Sequence, residues 1–169
     1  MQNAAATVKL TNRSTSPRSL RRAAMDCLAR REHSYFELKQ KLQLKFPERD
    51  SEEIRLELER LRAENLQSDR RFVDAFVRAR KSRGYGFQII REELRQRFVA
   101  EELIAEFLIN DDEEWNEVLD QLIHRRVPAS SAIQFGSREH LRLVRFLRGR
   151  GFSHSAIQHR LARYLAASE

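Results

Sequence analysis

Apolar residues recur at helical spacing through almost the whole chain, and the pattern is broken every eight to fourteen positions by a capping residue, a glycine or a proline. Leu20, Ala23, Ala24, Cys27 and Leu28 form one stripe, and Ser34 with Glu37 three residues later reads as a capping box opening the next helix, with Tyr35, Leu38 and Leu42 as its stripe. Phe46-Pro47 stops that helix, and Asp50 and Glu53 mark a third, with Ile54, Leu58 and Leu61. Ser68 or Asp69 opens a fourth, striped by Phe72, Ala75, Phe76 and Ala79, which closes on the basic run Arg78, Arg80, Lys81 and Arg83 before Gly84-Tyr85-Gly86. Phe87, Ile90 and Leu94 belong to a fifth, and Leu103, Ile104, Phe107 and Leu108 to a sixth. After Asn110-Asp111-Asp112, Trp115, Val118, Leu119, Leu122 and Ile123 predict a seventh. The interval from Pro128 to Gly136 separates it from an eighth carrying Leu141, Val144 and Leu147, and Ser153 caps a ninth with Ile157, Leu161 and Leu165.

Nine short helices fall into three sets. Leu94 precedes Ile104 by ten positions, as Leu147 precedes Ile157, and Val99 and Phe152 sit midway in the two intervals. In the first set Leu42 precedes Ile54 by twelve, which places a two-residue insertion around Pro47. The expectation is an all-α fold of three tandem three-helix repeats in an elongated, curved array: a disordered basic tail over 1–17, then repeats over 18–66, 67–109 and 110–169. A unit of this size hides too little surface to be stable alone, so stacking should cover the remaining apolar side.

Charge is distributed unevenly. Residues 1–25 carry five basic groups and no acid, residues 26–123 carry 18 basic and 23 acidic groups, and residues 124–169 carry nine arginines against two acids. Basic ends around an acidic middle suit a polyanion or an acidic protein groove. Of the 32 basic residues 27 are Arg, whose planar fork matches phosphate and carboxylate, although codon bias would give the same composition. No run approaches the ~18 apolar residues that span a bilayer, and no apolar stretch near the start reads as a secretory signal. With a single cysteine, Cys27, read as a buried thiol, the chain is expected in a reducing, cytoplasmic compartment.

No catalytic constellation is visible, so no enzyme activity, cofactor or metal is expected. His154 and His159 are five apart and share no helix face, and His33, His124 and His140 are isolated. Glu92-Glu93, Glu101-Glu102 and the acids at 111–114 fall in opening turns of helices, where negative charge is ordinary. Gly84-Tyr85-Gly86 follows no strand and precedes no Gly-Lys-Ser/Thr, so it is a turn and not a phosphate loop. The binding candidates are Arg78, Lys81, Arg83 and Tyr85 at one helix end, Arg125 and Arg126 at another, and Arg138, Arg142, Arg145, Arg148 and Arg150 in the last repeat. Each basic cluster reads equally as a solvated face.

Three segments carry a resemblance: Ser34-x-x-Glu37-Leu38-x-x-Lys41-Leu42; then Asp69-Arg70-Arg71-Phe72 through Arg78-x-Arg80-x-x-x-Gly84-x-Gly86 to Ile90-x-x-Glu93-Leu94; then Arg145-Phe146-Leu147-x-x-Arg150-Gly151-Phe152 with Ile157 and Leu161. In this order they resemble the RecX family of bacterial RecA regulators over residues 20–165. Where that pattern often has a glycine, this chain has Arg97-Phe98-Val99, and Lys45-Phe46-Pro47 in the first unit, so both turns are expected to close differently. The resemblance implies a monomeric negative regulator that lies in the groove of the RecA–DNA filament and inhibits ATP hydrolysis, strand exchange and coprotease activity. It would touch RecA and make weak, nonspecific DNA contact, with no membrane partner. The alternative from another class is a helical module that binds nucleic acid directly.

Overall fold

The computed structural model describes residues 19–110, 113–127 and 133–164. The expected basic tail over 1–17, and Leu165 of the last stripe, lie outside these residues. The described residues form α1 (Leu20–Leu28), α2 (Tyr35–Lys45), α3 (Ser51–Ala63), α4 (Asp69–Ser82), α5 (Phe87–Arg95), α6 (Glu101–Phe107), α7 (Glu114–His124), α8 (Arg138–Gly149) and α9 (His154–Leu161). None is long and apolar enough to cross a membrane.

The caps explain the boundaries. The hydroxyls of Ser19, Ser34, Ser68, Ser137 and Ser153 each accept the backbone N–H three residues on, satisfying a donor the first turn leaves unpaired. Asp50 makes no side-chain cap, and the box at Ser34 is half-made, since the Glu37 carboxylate is held by Arg31 and Arg97 instead.

Four turns end alike. Around Asn65, Gly84, Phe98 and Gly151, all with positive φ, the N–H after the turn donates back five residues to a helix carbonyl: Leu66 to Leu61, Tyr85 to Arg80, Val99 to Leu94 and Phe152 to Leu147. The expectation that Arg97-Phe98-Val99 closes differently is therefore corrected. Phe98 adopts the left-handed backbone itself, at φ 54, where its Cβ costs roughly 1–2 kcal/mol. The Phe46-Pro47 turn does close differently, ending with Phe46 at φ −131.

Within each triplet the three helices pack on one another. Three separate buried clusters result. The first holds Ala23, Ala24, Leu38, Leu42, Ile54, Leu58 and Leu61, with Cys27 half-buried at its edge. The second centres on Phe72, Val73, Val77, Ile90, Leu94 and Ile104, and the third on Leu119, Ile123, Leu143, Leu147, Ile157 and Leu161.

Three stripes differ from expectation. In α4 the buried set is Phe72, Val73 and Val77, while Ala75, Phe76 and Ala79 line a surface groove. In α8 the core takes His140, Leu143 and Leu147, leaving Leu141 more than half exposed. Trp115, though on α7, joins the second cluster, with its indole N–H donating to the Ile109 carbonyl at 2.7 Å.

The triplets stand in a row. Among the described residues no hydrogen bond, ion pair or ring contact joins the first repeat to the third. Each repeat keeps its own buried cluster except that Trp115 enters the second, and the joints combine hydrogen bonds, ion pairs and a close glycine approach with the ring contacts Phe36–Phe98 and Phe87–Trp115.

A guanidinium–aromatic strip across three repeats

The strip begins where α7 ends. The Arg126 guanidinium lies over the Phe146 ring of α8, 3.6 Å from its centroid. Arg150, one turn beyond Phe146, also lies over that ring at 5.2 Å and reaches the Tyr85 ring of the second repeat at 4.8 Å. It also donates to the Arg83 carbonyl at 3.0 Å. Arg80 stacks on Tyr85 at 4.9 Å and on Phe76 at 5.2 Å, and Arg97 takes Phe76 at 4.8 Å. Arg97 then donates to Glu37 of the first repeat at 2.9 Å, and the other oxygen of Glu37 accepts from Arg31 at 2.9 Å. Each cation–π pair contributes about 0.5–1 kcal/mol, more where water is excluded.

The helical register makes this possible. Phe76 and Arg80 are one turn apart on α4, as are Phe146 and Arg150 at the end of α8. The Gly84 turn then folds Tyr85 back beneath Arg80. A Cβ on Gly84 would lie 2.8 Å from the Leu122 side chain, so the turn packs tightly against α7. Arg80 is charge-balanced by Glu93 at 2.7 Å, and both are largely buried. Beside the strip a groove of about 430 Å³ between the first two repeats has Ala75, Phe76 and Ala79 on its floor and Arg31, Arg83 and Arg97 on its rim.

The sequence candidates divide. Arg150, Arg126 and Tyr85 meet in the strip. Lys81 is mostly buried, pairs with Glu114 at 2.7 Å and lies 4.3 Å from the centre of the Trp115 ring. Arg78 is exposed and paired with Asp74 at 2.6 Å. Arg83 and Arg125 are exposed at helix ends. Arg138, Arg142, Arg145 and Arg148 are exposed on the outer face of α8 and take no part in the strip's ring contacts. Sequence reasoning missed Arg80, Arg97, Phe76 and Phe146 as members. Helical spacing marks the pairs Phe76–Arg80 and Phe146–Arg150, but nothing local links Arg97 to Glu37, sixty residues away.

A second cleft, of about 780 Å³, opens between the last two repeats and is lined by Phe87, Arg91, Arg95, Trp115, Ser153 and His159 among others. Its arginines are engaged: Arg95 and Arg91 both donate to Glu101, at 2.5 and 3.2 Å. Hydrogen bonds from Arg95 first, then Arg91, hold the Glu101 carboxyl below its ordinary range. Among the described residues no three His, Cys, Asp or Glu side chains are grouped to hold a metal ion.

Comparison with known proteins agrees with this architecture. Residues 68–108 match the family model described as RecX, second three-helix domain. The regulatory protein RecX of Pseudomonas putida strain GB-1 is 39% identical over 137 residues, covering 81% of this chain and 85% of the relative. That of Ectopseudomonas mendocina strain ymp is 40% identical over 138 residues, covering 82% and 89%. The crystal structure of RecX from Lactobacillus salivarius superposes with a TM-score of 0.71 at 18% identity, over 86% of this chain and 94% of that one. A second RecX crystal structure gives 0.65 at 23% identity, over 83% and 72%. At those identities the two structures speak for the fold alone.

Proposed function

The chain belongs to the RecX family of regulatory proteins, and from that premise we propose that it is a negative regulator of RecA. It acts by binding, without chemistry of its own, in the groove of the RecA–DNA filament. The observation that carries the reading is kinship along nearly the whole array, 39% identity over 137 residues with proteins named as regulators. The geometry suits such a role. A row of trihelical units joined by a strip of arginines offers an extended surface to an extended partner.

Occupying the groove would damp ATP hydrolysis, strand exchange and coprotease stimulation, and the protein would work as a monomer in the cytoplasm. The test is direct. RecA on single-stranded DNA is titrated with the purified protein while ATP hydrolysis and co-sedimentation are followed. Substoichiometric to stoichiometric inhibition with co-sedimentation is the expected outcome. No inhibition and no co-sedimentation at any ratio would overturn the reading.

A second reading, direct binding to nucleic acid, draws on the exposed arginines of α8. Gel shifts without RecA across a salt series separate the two. A phosphate-binding surface loses about 0.9 log units of affinity per log unit of salt for each phosphate neutralised on duplex DNA. Tight, sequence-selective binding to bare duplex would favour this second reading.

A further inference from the structure

Most helical arginines of this chain are answered by an acid. Arg55 pairs with Glu52, Arg60 with Glu57 and Arg78 with Asp74 one turn away, and Arg21, Arg70, Arg71, Arg80, Arg91, Arg95 and Arg160 pair with acids of other helices or turns. Helix α8 breaks that pattern. Arg138, Arg142, Arg145 and Arg148 are all exposed, and none has an ion pair, hydrogen bond or ring partner among the described residues. Their spacing of four, three and three places like charges on one face, where each successive pair repels and weakens the helix. The one acid in α8, Glu139, stands three residues before Arg142, yet makes no ion pair with it or with any other arginine of the row among the described residues.

The row is not purely charged. Leu141, 55% exposed, lies on the same face, three residues after Arg138 and four before Arg145. Phe135, 68% exposed, lies just before the helix, its ring 4.9 Å from that of His140. Arg142 is one turn from Phe146, so the face borders the guanidinium–aromatic strip.

This mixture discriminates between partners. A phosphate row has no use for an aliphatic side chain at its centre, and leucine has no π face on which a base could stack. Protein interfaces, in contrast, combine an apolar centre with a charged rim, and arginine is enriched in them. We propose that the outer face of α8 is a docking surface for an acidic protein surface. A shallow apolar pocket of the partner takes Leu141, and carboxylates pair with the forks of Arg138, Arg142, Arg145 and Arg148. This inference rests on the RecA reading and deepens it, by assigning to α8 a contact with filament protein and not with filament DNA.

The sign of one substitution separates the two chemistries. Leu141→Arg adds a fifth positive charge to a phosphate row but drives a cation into an apolar pocket. The full-length chain, Leu141→Arg, the milder Leu141→Ala and the double variant Arg142→Glu/Arg145→Glu are compared by co-sedimentation with RecA on single-stranded DNA. Anisotropy of a labelled oligonucleotide without RecA is read in parallel, and circular dichroism checks the fold. Leu141→Arg is expected to weaken filament binding about tenfold or more, and Leu141→Ala about threefold. Neither should weaken binding to the bare oligonucleotide. The double charge reversal should weaken filament binding more than either.

Leu141→Arg binding the filament as tightly as the natural chain, or more tightly, overturns the proposal in favour of a phosphate row. If Leu141→Arg unfolds, Leu141→Ala decides, and undiminished filament binding by that variant overturns the proposal in the same way. Should the natural chain fail to sediment with the filament, the RecA reading falls and this inference with it. Should it sediment while the variants bind equally well, this inference falls alone.

Discussion

The two joints of the array are built from different chemistry. Between the first and second repeats, side chains carry the contact. The Asp69 carboxylate accepts the Tyr35 N–H at 2.7 Å and a Gln67 amide N–H at 3.0 Å. Gln67 also donates to the His33 carbonyl at 3.2 Å, Arg71 pairs with Glu32 at 2.7 Å, and Arg97 with Glu37. Between the second and third repeats, backbone meets backbone. The Gly86 N–H donates to the Arg150 carbonyl at 2.7 Å and the Gln88 N–H to that of Gly151 at 3.2 Å. Around this contact α4 packs on α7, and Trp115 and Phe87 meet edge to face. A joint of charges and amides depends on salt and protonation. The second joint also holds the Lys81–Glu114 ion pair and the Arg150 contacts, but its glycines depend on having no Cβ, a steric requirement that salt and protonation do not change. The difference leaves the first repeat attached mainly through polar side chains and seats the third on the second through close backbone contact.

The glycine joint breaks most sharply. Gly151 has φ +90, and a Cβ there would lie 2.7 Å from the Ile89 backbone nitrogen. Gly151→Ala should therefore cost about 3 kcal/mol in urea unfolding, from backbone conformation and overpacking together. Gly86→Ala, whose Cβ would meet the Gly151 carbonyl oxygen at 2.7 Å, should cost about 2 kcal/mol from overpacking alone. A loss below about 0.5 kcal/mol for both would show that the joint relaxes and is not steric.

At the polar joint, Asp69→Ala leaves the Tyr35 N–H and a Gln67 amide without their acceptor. The expected loss is about 1–3 kcal/mol, with faster hydrogen exchange at the Tyr35 amide and unchanged protection at Gly86. Equal loss of protection at both amides would mean that the two joints open as one unit.

Acid should loosen the same joint through His33. Its ring is buried, with Nδ1 3.0 Å from the Arg31 carbonyl. Burial first, with Arg31 and Lys41 adding to it, pushes its pKa below the ordinary value of 6.5, against smaller opposing effects from the hydrogen bond to Arg31 and from Glu37. The unfolded chain therefore takes up the proton first as pH falls. The stability is fully present above about pH 6.5 and is lost as pH drops from there toward the folded-state pKa. Thermal midpoints measured from about pH 7.5 to about pH 5.5, the range in which histidine titrates, should fall more for the natural chain than for His33→Gln. Parallel slopes would remove His33 as the cause.

Phe98→Gly gives the smallest effect. It relieves a left-handed phenylalanine but removes the ring stacked 4.2 Å from Phe36, which helps join the first two repeats. The two terms are of similar size, so stability should change by less than about 1 kcal/mol. In a Phe36→Ala background only the relief remains, and Phe98→Gly should then stabilise.

Much of the fold was legible because it is local. The serine caps, the glycine turns and the spacing of Ile54, Leu58 and Leu61 or of Ile157 and Leu161 all act within one or two turns of chain. Errors arose where a helix offers two apolar faces. On α4 either Val73–Val77 or Ala75–Ala79 could be the inner stripe, and on α8 Leu141 competes with Leu143. The packing of the neighbouring helices settles that choice, and no periodicity reports it.

The candidate site was legible only as a set of residue types. Arg126, Arg150 and Tyr85 attract notice as basic and aromatic residues at helix ends, but their stacking depends on three separate turns arriving at one place. By itself the sequence determined nine helices, their grouping in threes and the family, because caps, breaks and apolar spacing are short-range and repeat along the chain. Only the tertiary structure decided which arginines are spent on internal rings and carboxylates and which, among the described residues, are not. That sorting depends on distances between residues such as Arg97 and Glu37, and those distances exist only once the repeats are joined.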